Sequence, residues 1–384
     1  MTEKIYEKNA YCSEFTGKVI SCISNGDFYE VVLDKTAFFP EGGGQGADKG
    51  TLNGEEVCDV QEKGKEIVHF LRNPVSENTR VSGVLDWDVR FARMQSHTGE
   101  HIISGIVHSM FGYDNIGFHM SDSLMTVDFS GPLSAEDIAK VEEESNRAIY
   151  KNASVSVVYP DKEEADKMDF RSKIDIDNGL RVVNIDGIDS CACCAPHVNA
   201  TGEVGIIKVI DFYHNKKGTR IELLAGISAV RDYAFLNSVN KGLMKMFSAK
   251  RDAVLDGAEK LNDSVQSLQN ENKRLSKEVA TASLKPVEAP SGVYAFLENA
   301  SYDDLRFCAN NLTENNKNSV LLSKSGENEY LYVVASSENR AREIATRLNS
   351  AFNGKGGGKD NYCQGKLTAD DLQTLENEIK EALA

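Results

Sequence analysis

The sequence lacks a long apolar run. No stretch approaches the roughly 18 consecutive apolar residues that a membrane-spanning helix needs, and the chain opens with the polar segment MTEKIYEKNA. A secretory signal peptide would place an apolar segment there. The sequence therefore predicts neither a membrane partner nor export, and we expect a cytoplasmic protein.

Basic residues are also in short supply. Lys and Arg number 43 against 59 Asp and Glu, which gives a net charge of −16. Phosphate backbones repel such a polyanion at long range, so unselective nucleic-acid binding is excluded. A nucleic-acid partner would have to meet local basic patches.

The chain does have the length and apolar content for several cores. With 384 residues, 41% hydrophobic and 27% charged, it is expected to form two or three globular domains. Three of its eight cysteines crowd into CACC, residues 191–194. Eight cysteines in so long a chain do not resemble a disulfide framework, and such a cluster in a reducing compartment is more often metal-binding or catalytic.

The segment HTGEH places His97 and His101 four residues apart. On a helix, side chains at this spacing lie one turn apart on the same face, so two imidazoles can converge on one ion. About a hundred residues later, Cys193 and His197 form a C-x-x-x-H unit in a short loop between strand-like runs. Zinc is commonly held by two such pairs joined by a long intervening segment. The alternative is that the cysteines are small buried apolar residues and the histidines make no common site.

Five collinear segments carry a resemblance to a known family. HTGEH (97–101) and CCAPHVNATGEVG (193–205) resemble the metal signatures of the editing domain of alanyl-tRNA synthetase and of the free-standing AlaX trans-editing proteins. LDKTAFFPEGGGQGADKGTL (33–52), GFHMSDSLMTVDFSG (117–131) and GTRIELLAG (218–226) resemble the flanking segments of that domain in the same order. The resemblance covers essentially the whole chain and identifies it as a member of the long AlaX family.

The resemblance implies an α+β fold with a β-barrel-like N-terminal subdomain (1–90) and a zinc-containing editing domain (91–231). One zinc per chain would be held by His97, His101, Cys193 and His197, with Cys191 and Cys194 outside the ligand set. The implied activity is that of an aminoacyl-tRNA hydrolase, a carboxylic ester hydrolase that removes serine, with glycine as a second candidate, from wrongly charged alanine tRNA. Whether zinc orients the substrate or activates water stays open.

The resemblance also implies residues that line the pocket. Gly43, Gly44 and Gln45 would lie beside the tRNA terminus, and His119 falls where the family has pocket residues. Two positions depart from the synthetase, which has threonine and glutamine where this chain has Glu100 and Asn115. Glu100 is a candidate general base, although neighbouring helix residues point about 100° apart, so it could instead face away from the ion or support a ligand.

Residues 232–284 carry a heptad pattern. The apolar seam, with one polar member, consists of Val254, Ala258, Leu261, Val265, Leu268, Asn272, Leu275 and Val279. This spacing predicts a coiled-coil helix, and a lone seam Asn favours an in-register pair, so we expect a homodimer. The alternative is an amphipathic helix packed against its own chain.

Residues 285–384 predict a small C-terminal α/β domain of alternating strands and helices, with Ser301 capping one helix. Its NGKGGGKDN segment is expected to be a glycine loop whose amides, with Lys355 and Lys359, meet phosphate oxygens. This segment, including Gly356, Gly357 and Gly358, resembles the signature of the DHH-associated domain of alanyl-tRNA synthetase, which implies tRNA binding. The alternative is a turn that only reverses the chain.

Two other functions fit the sequence less fully. A zinc-stabilised protein could bind tRNA without catalysis, and a metallohydrolase could act on a free small molecule and ignore tRNA.

Overall fold

The computed structural model describes residues 1–121, 124–172 and 180–384. The chain divides into two compact units, Met1–Asn240 and Lys241–Ala384. The finer division into four segments stays a prediction. Residues 122 and 123 of the family-like segment 117–131 lie outside the described residues.

The N-terminal part of the first unit is a β-sheet. Its elements are β1 (Glu3–Lys4), α1 (Ile5–Lys8), β2 (Glu14–Asn25), β3 (Phe28–Leu33), β4 (Lys35–Thr36), β5 (Gly50–Leu52), β6 (Glu55–Glu56), β7 (Asp59–Lys63), β8 (Glu66–Leu71) and β9 (Arg80–Leu85). Seven strands pair in the order β6-β5-β9-β2-β3-β8-β7, and β1 pairs with β4. Buried and exposed residues alternate along β9 and the first half of β2, as expected for a sheet with one face on a core. Among the described residues β6 and β7 do not pair, so the barrel-like shape stays a prediction.

The rest of the first unit is built around one buried helix. Its elements are α2 (Trp87–Phe111), β10 (Asn115–Met120), β11 (Met125–Phe129), α3 (Ala135–Tyr150), β12 (Val155–Val158), α4 (Lys162–Ala165), β13 (Val182–Ile185), β14 (Asp189–Ala192), a 3-10 turn (Thr201–Val204), β15 (Ile207–Asn215) and β16 (Gly218–Ala225). The strands form two antiparallel sheets, β10-β11-β16-β15 and β12-β13-β14. Asp86 caps α2 by accepting a hydrogen bond from Val89 N, and Gly112 ends it in the left-handed conformation.

Helix α2 is buried over most of its length. Met94, Ile102, Ile103 and Val107 pack into the core with strands of the four-stranded sheet. His97, Glu100 and His101 are also buried. Because buried polar groups need partners, this packing places the predicted metal-binding face in a surrounding that must satisfy it.

The predicted coiled-coil region is two helices. Helix α5 (Ile227–Phe247) begins before residue 232, and α6 (Val254–Ser283) follows a break at residues 248–253. Ser248 has a positive φ of 51° there, and Ala249 N bonds to Met244 O, which ends α5. Helix α6 confirms the helical part of the heptad prediction. Its seam is largely exposed, with Leu261 52%, Leu268 69% and Val279 65% accessible.

The C-terminal part of the second unit has the predicted mixture of strands and helices. Its elements are β17 (Val287–Ala289), β18 (Gly292–Glu298), α7 (Tyr302–Thr313), β19 (Asn318–Lys324), β20 (Glu329–Ser336), α8 (Ala341–Ala351), β21 (Lys355–Lys359), β22 (Tyr362–Thr368) and α9 (Leu372–Ala382). The sheet order is β17-β18-β19-β20-β22-β21, and only β18 and β19 run parallel among these described strands. Ser301 caps α7 through a capping box with Asp304, as predicted.

The glycine segment is a strand and not a loop, which corrects the sequence prediction. Lys355–Lys359 pairs antiparallel with β22 at the edge of the sheet, and all five residues are exposed. Glycine is a weak strand former, so the local sequence favoured a loop, but pairing with β22 overrides that preference. In the part of the chain that the structure describes, no helix has the length and apolarity to cross a membrane.

Candidate metal centre

The structure brings the four predicted metal ligands together. His97 and His101 come from α2, and Cys193 and His197 come from the loop that follows β14. One donor atom from each of the four lies within 4.8 Å of the others. Cys193 Sγ is 3.4 Å from the Nε2 atoms of both His97 and His197. The two sequence pairs therefore form one His₃Cys cluster.

Each imidazole of the cluster is held by a hydrogen bond on its Nδ1 side. His97 Nδ1 donates to Gln45 Oε1, and His101 Nδ1 donates to Asp189 Oδ2, both at 3.0 Å. The third, His197 Nδ1, is 3.0 Å from the hydroxyl of Thr98. These bonds fix the ring orientation and leave every Nε2 lone pair facing the centre, which is how proteins orient histidine ligands.

The donor set fits a zinc ion. A tetrahedral site with a Zn–S bond of about 2.3 Å and Zn–N bonds of about 2.0 Å holds S and N about 3.5 Å apart. The two S···N distances of 3.4 Å agree with this spacing. Three imidazoles and one thiol are also ligands that zinc prefers.

Charges inside the cluster favour the thiolate. Burial raises the pKa of Cys193, but the surrounding imidazoles, including hydrogen bonds to His101 and His197, outweigh burial, so the pKa of this thiol lies well below its usual value. Burial lowers the pKa of His197 to about 3. Burial also opposes charge on His101, but its bonds to Asp189 and Cys193 hold the pKa of this imidazole well above the usual range. A thiolate beside a neutral imidazole is the state in which both bind a metal, and binding releases the remaining protons.

A cavity of about 230 Å³ opens beside the cluster. Its lining residues are Gly43, His97, Glu100, His101, Asn115, Gly117, Phe118, Arg171, Cys191, Ala192, Cys193 and Cys194. His197 is not among them, so the cavity reaches the centre from the side of the other three ligands. A concave site that exposes metal ligands and a few polar groups is a typical small-molecule pocket.

The predicted glycine hairpin borders this cavity through one of its three residues. Gly43 lines the cavity, whereas Gly44, at a φ of 81°, lies so close to Phe118 O that an added Cβ would be 2.7 Å from it. Gln45 was predicted to contact substrate, but its buried side chain holds His97. The hairpin therefore positions His97 of the cluster as well as forming part of the cavity wall.

Glu100 faces the cavity. Its Oε1 accepts hydrogen bonds from the Ser104 hydroxyl at 2.6 Å and from Asn115 Nδ2. Its Oε2 lies 3.8 Å from His101 Nε2, the atom that points to the cluster. The two positions that depart from the synthetase pattern, Glu100 and Asn115, therefore touch each other in one network.

His119 is not part of the cavity wall. Its side chain is exposed on β10, while Phe118, the preceding residue, lines the cavity. Successive strand residues point to opposite faces, so the register of β10 decides whether Phe118 or His119 faces the cavity. The sequence alone did not fix that register, which shifts at a bulge between Asn115 and Gly117.

Two charged residues of the site were missed by sequence reasoning. Arg171 forms a two-pronged ion pair with Asp189, with both N···O distances at 2.7 Å. Asp189 Oδ2 also accepts from His101, so one carboxylate joins the cavity arginine to an imidazole of the cluster. The position of Asp189 two residues before the cysteine cluster was the one available signal, and Arg171 had none.

The C-terminal candidates lie in the other unit. Lys355, Gly356, Gly357, Gly358 and Lys359 form the exposed edge strand β21. Their role in phosphate binding stays a prediction.

Three regions of the chain match known families. Residues 4–89 match the family described as tRNA synthetases class II (A). Residues 180–222, which include Cys193 and His197, match the threonyl and alanyl tRNA synthetase second additional domain. Residues 289–384 match the DHHA1 domain.

Curated relatives match over nearly the whole chain. The alanyl-tRNA editing protein AlaX-L of Pyrococcus horikoshii is 31% identical over 96% of this chain and 95% of its own length. The alanyl-tRNA editing protein Aarsd1 of Rattus norvegicus is 28% identical over 94% of this chain and 93% of its own. The alanine–tRNA ligase of Pyrococcus furiosus is 31% identical over 99% of this chain but only 43% of the ligase.

Proposed function

The chain belongs to the family of alanyl-tRNA editing proteins of the long AlaX type, and from this premise we propose that it is a trans-editing aminoacyl-tRNA hydrolase. It cleaves the ester that joins a wrong amino acid, serine or glycine, to alanine tRNA. Editing of this kind is needed because a pocket built for a small apolar side chain rejects an added hydroxyl poorly.

One observation carries this proposal. The His₃Cys cluster is buried and held by bonds on the Nδ1 side of its imidazoles, yet three of its ligands line an open cavity of about 230 Å³. A cluster that only stabilised the fold would be closed on all sides. The cavity gives a small aminoacyl group access to the ligands.

His97, His101, Cys193 and His197 would hold one zinc ion per chain. Bound zinc supplies a Lewis acid that polarises an ester carbonyl or lowers the pKa of water. The chain's own residues do the rest. Gln45 and Asp189 keep two of the imidazoles in place and, by accepting from Nδ1, fix which nitrogen faces the cavity side.

Glu100 is the residue best placed to take a proton from the attacking water. Ser104 and Asn115 both donate to its Oε1, which leaves Oε2 toward the cluster. The water oxygen forms a bond to the ester carbonyl carbon, the bond from that carbon to the ribose oxygen breaks, and the proton passes to the ribose oxygen. The products are the free amino acid and uncharged tRNA.

Arg171 would stabilise the negative charge that develops on the carbonyl oxygen. A guanidinium has five N–H donors, and Asp189 engages only its Nε and Nη2 groups. Because the ion pair holds the side chain rigid at the cavity wall, the remaining donors are in place before the reaction starts.

The C-terminal unit would hold the body of the tRNA. In β21, Lys355 and Lys359 flank three glycines on an exposed sheet edge, where main-chain amides on the unpaired side can reach phosphate oxygens. Deletion of residues after Leu284 should therefore weaken tRNA binding and flatten its dependence on salt. Equal affinity and equal salt dependence in the truncated and full-length chains would contradict this role.

We also infer a homodimer joined through α6. Its seam residues Leu261, Leu268 and Val279 are more than half exposed, and apolar side chains at heptad spacing are normally covered by a partner helix. All eight cysteines are free, which supports action in the reducing cytoplasm.

A substrate panel tests the proposed activity. Alanine tRNA charged with serine, glycine or alanine is incubated with the full-length protein, alongside a small serine ester that lacks tRNA. The proposal predicts rapid release of serine and glycine from tRNA and slow release of alanine. Binding without release would favour a zinc-stabilised tRNA-binding protein, and cleavage of the small ester alone would favour a small-molecule hydrolase.

A further inference from the structure

A second cavity, of about 200 Å³, lies in the first unit along the same helix as the metal ligands. Helix α2 contributes Asp88, Arg93 and Ser96 to its wall, and α5 contributes Ser228 and Arg231. We call it the serine–arginine cavity. Neither the metal cluster nor the proposed hydrolysis uses these residues.

Ser96 is a buried polar side chain without a partner. Only 8% of the residue is exposed, and its hydroxyl makes no hydrogen bond within the described part of the chain. Because this residue lies on the cavity wall and its oxygen is not enclosed by protein, the hydroxyl is available to bond a ligand in the cavity.

The charges around the cavity favour an anion. Arg231 is exposed and forms no ion pair with a described residue. Arg93 is anchored by the backbone carbonyls of Gly46 and Ala47. Asp88, which is exposed, is the one acidic residue of the described wall, and both arginines lie on the same wall.

Backbone N–H donors at the cavity also favour an anion. Ser228 lies in the first turn of α5, where main-chain N–H groups have no partner within the helix. The N-terminus of a helix of this length carries partial positive charge and is a common place for phosphate to bind. A hydroxyl, two guanidinium groups and a helix N-terminus are together the donors of a phosphate site.

We propose that the serine–arginine cavity binds a backbone phosphate of the tRNA acceptor strand, close to the ester that enters the metal cavity. This inference rests on the proposed function for the identity of the phosphate. It would explain how a chain with a net charge of −16 gains local attraction for a nucleic-acid end.

The path between the two cavities is short. Ser96 immediately precedes His97, and Arg93 lies four residues before His97 on α2, about 6 Å along the axis. The Gly42–Gln45 turn, whose Gly43 lines the metal cavity, is bonded to the wall of the serine–arginine cavity, because Met120 N donates to Gly44 O at 2.8 Å. A strand crossing this turn would place its terminal ribose at the metal cavity and a preceding phosphate against Arg93 and Arg231.

Two measurements on the full-length protein test the site. The first is the salt dependence of affinity for uncharged alanine tRNA, and the second is the titration of inorganic phosphate followed by phosphorus NMR. Arg231→Ala should weaken tRNA binding about tenfold and reduce the slope of log affinity against log salt by about 0.7, the value for one phosphate on a single strand. The phosphorus NMR signal of inorganic phosphate should broaden and shift when the wild type is added, but not when Arg231→Ala is added.

Matched variants separate this site from general charge effects. Ser96→Ala should also abolish the phosphate signal, and it retains a good helix former. Arg147→Ala removes an exposed arginine of α3 that is paired with Glu143, and it should leave both measurements unchanged. If the salt slope and the phosphate signal of Arg231→Ala equal those of the wild type, the phosphate site is rejected.

The outcomes also keep this inference apart from the proposed function. Hydrolysis of seryl-tRNA with no effect of Arg231→Ala would reject the site and leave the activity standing. Phosphate binding that depends on Arg231 and Ser96, without hydrolysis of seryl-tRNA, would reject the activity and show a site for free phosphate. If the wild type neither binds phosphate nor hydrolyses seryl-tRNA, both the phosphate site and the editing activity are rejected.

Discussion

Helices α2 and α6 have similar lengths and opposite surroundings. In α2, of 25 residues, polar side chains such as His97, Glu100 and His101 are buried and held by partners from distant segments. In α6, of 30 residues, apolar side chains such as Leu261 and Leu268 are exposed. The buried imidazoles of α2 converge on one centre, and the apolar seam of α6 is uncovered, so the first helix indicates an internal ligand and the second an external partner.

The largest expected effect is the loss of metal from the α2 site. We expect about one zinc per chain in the purified protein and none in His101→Ala or Cys193→Ala, because losing one of four ligands removes much of the binding free energy. Elemental analysis checks this. Cys191→Ser and Cys194→Ser are the matched controls and should keep the metal. Stoichiometric zinc in Cys193→Ala would contradict the ligand assignment.

The next largest effect concerns Asp189, the carboxylate that holds His101 in place. Asp189→Asn should lower the deacylation rate about 10- to 100-fold, because the carboxylate that orients His101 and pairs with Arg171 is lost. The rate is measured with seryl-tRNA at saturating zinc. Asp186→Asn, an exposed position in the same β13–β14 hairpin, should have no effect. Equal rates for the Asp189 variant and the wild type would show that the carboxylate does not support the site.

A buried histidine outside the site should make stability depend on pH. His69 is fully buried and bonded to Thr36 and Val31, and burial lowers its pKa to about 4. Between its ordinary pKa of about 6.5 and about 4, the unfolded chain therefore binds a proton that the folded chain does not. The stabilisation is fully present above about pH 6.5. As the pH falls from there to about pH 5, the free energy of unfolding decreases by about 2 kcal/mol.

Urea unfolding at about pH 7.5 and about pH 5 checks this prediction. His69→Gln should lower the stability at the higher pH and show a smaller drop between the two. The exposed His108→Gln should retain the full drop. An identical pH dependence in wild type and His69→Gln would mean that His69 does not carry the effect.

The smallest effects belong to the α6 seam. Leu268→Glu should convert a homodimer to a monomer at micromolar concentration, because it buries a charge in the predicted interface. Asn272→Leu should raise the melting temperature by a few degrees and loosen control over the number of helices that associate. Light scattering measures the oligomeric state, and thermal unfolding measures the melting temperature. A monomeric wild type would place the seam against its own chain.

Local spacing predicted the four residues that form the cluster but not the residues that hold them in place. His97 with His101, and Cys193 with His197, are pairs within one turn or one loop, and such spacing is visible in the sequence. Asp189 is 88 residues from His101, and Gln45 is 52 residues from His97. Contacts over such distances depend on how the strands pack, which no local pattern records.

The distinction between local signals and contacts set by packing also explains which secondary-structure elements were predicted correctly. Ser301 was predicted as a cap because the capping box is a local signal. The glycines of β21 pointed to a loop, but their conformation is set by pairing with β22, which begins only three residues after β21 ends. The break at Ser248 was missed because serine rarely adopts a positive φ, so its sequence gave no warning.

We propose that the His₃Cys cluster with its open cavity is an editing site for misacylated tRNA. The most direct test is the rate at which the full-length protein releases serine from seryl-tRNA specific for alanine, compared with Cys193→Ala and with the control Cys194→Ser. We expect rapid release by the wild type and by Cys194→Ser, and only spontaneous hydrolysis with Cys193→Ala. Rapid release by Cys193→Ala, or none by the wild type loaded with zinc, would contradict it.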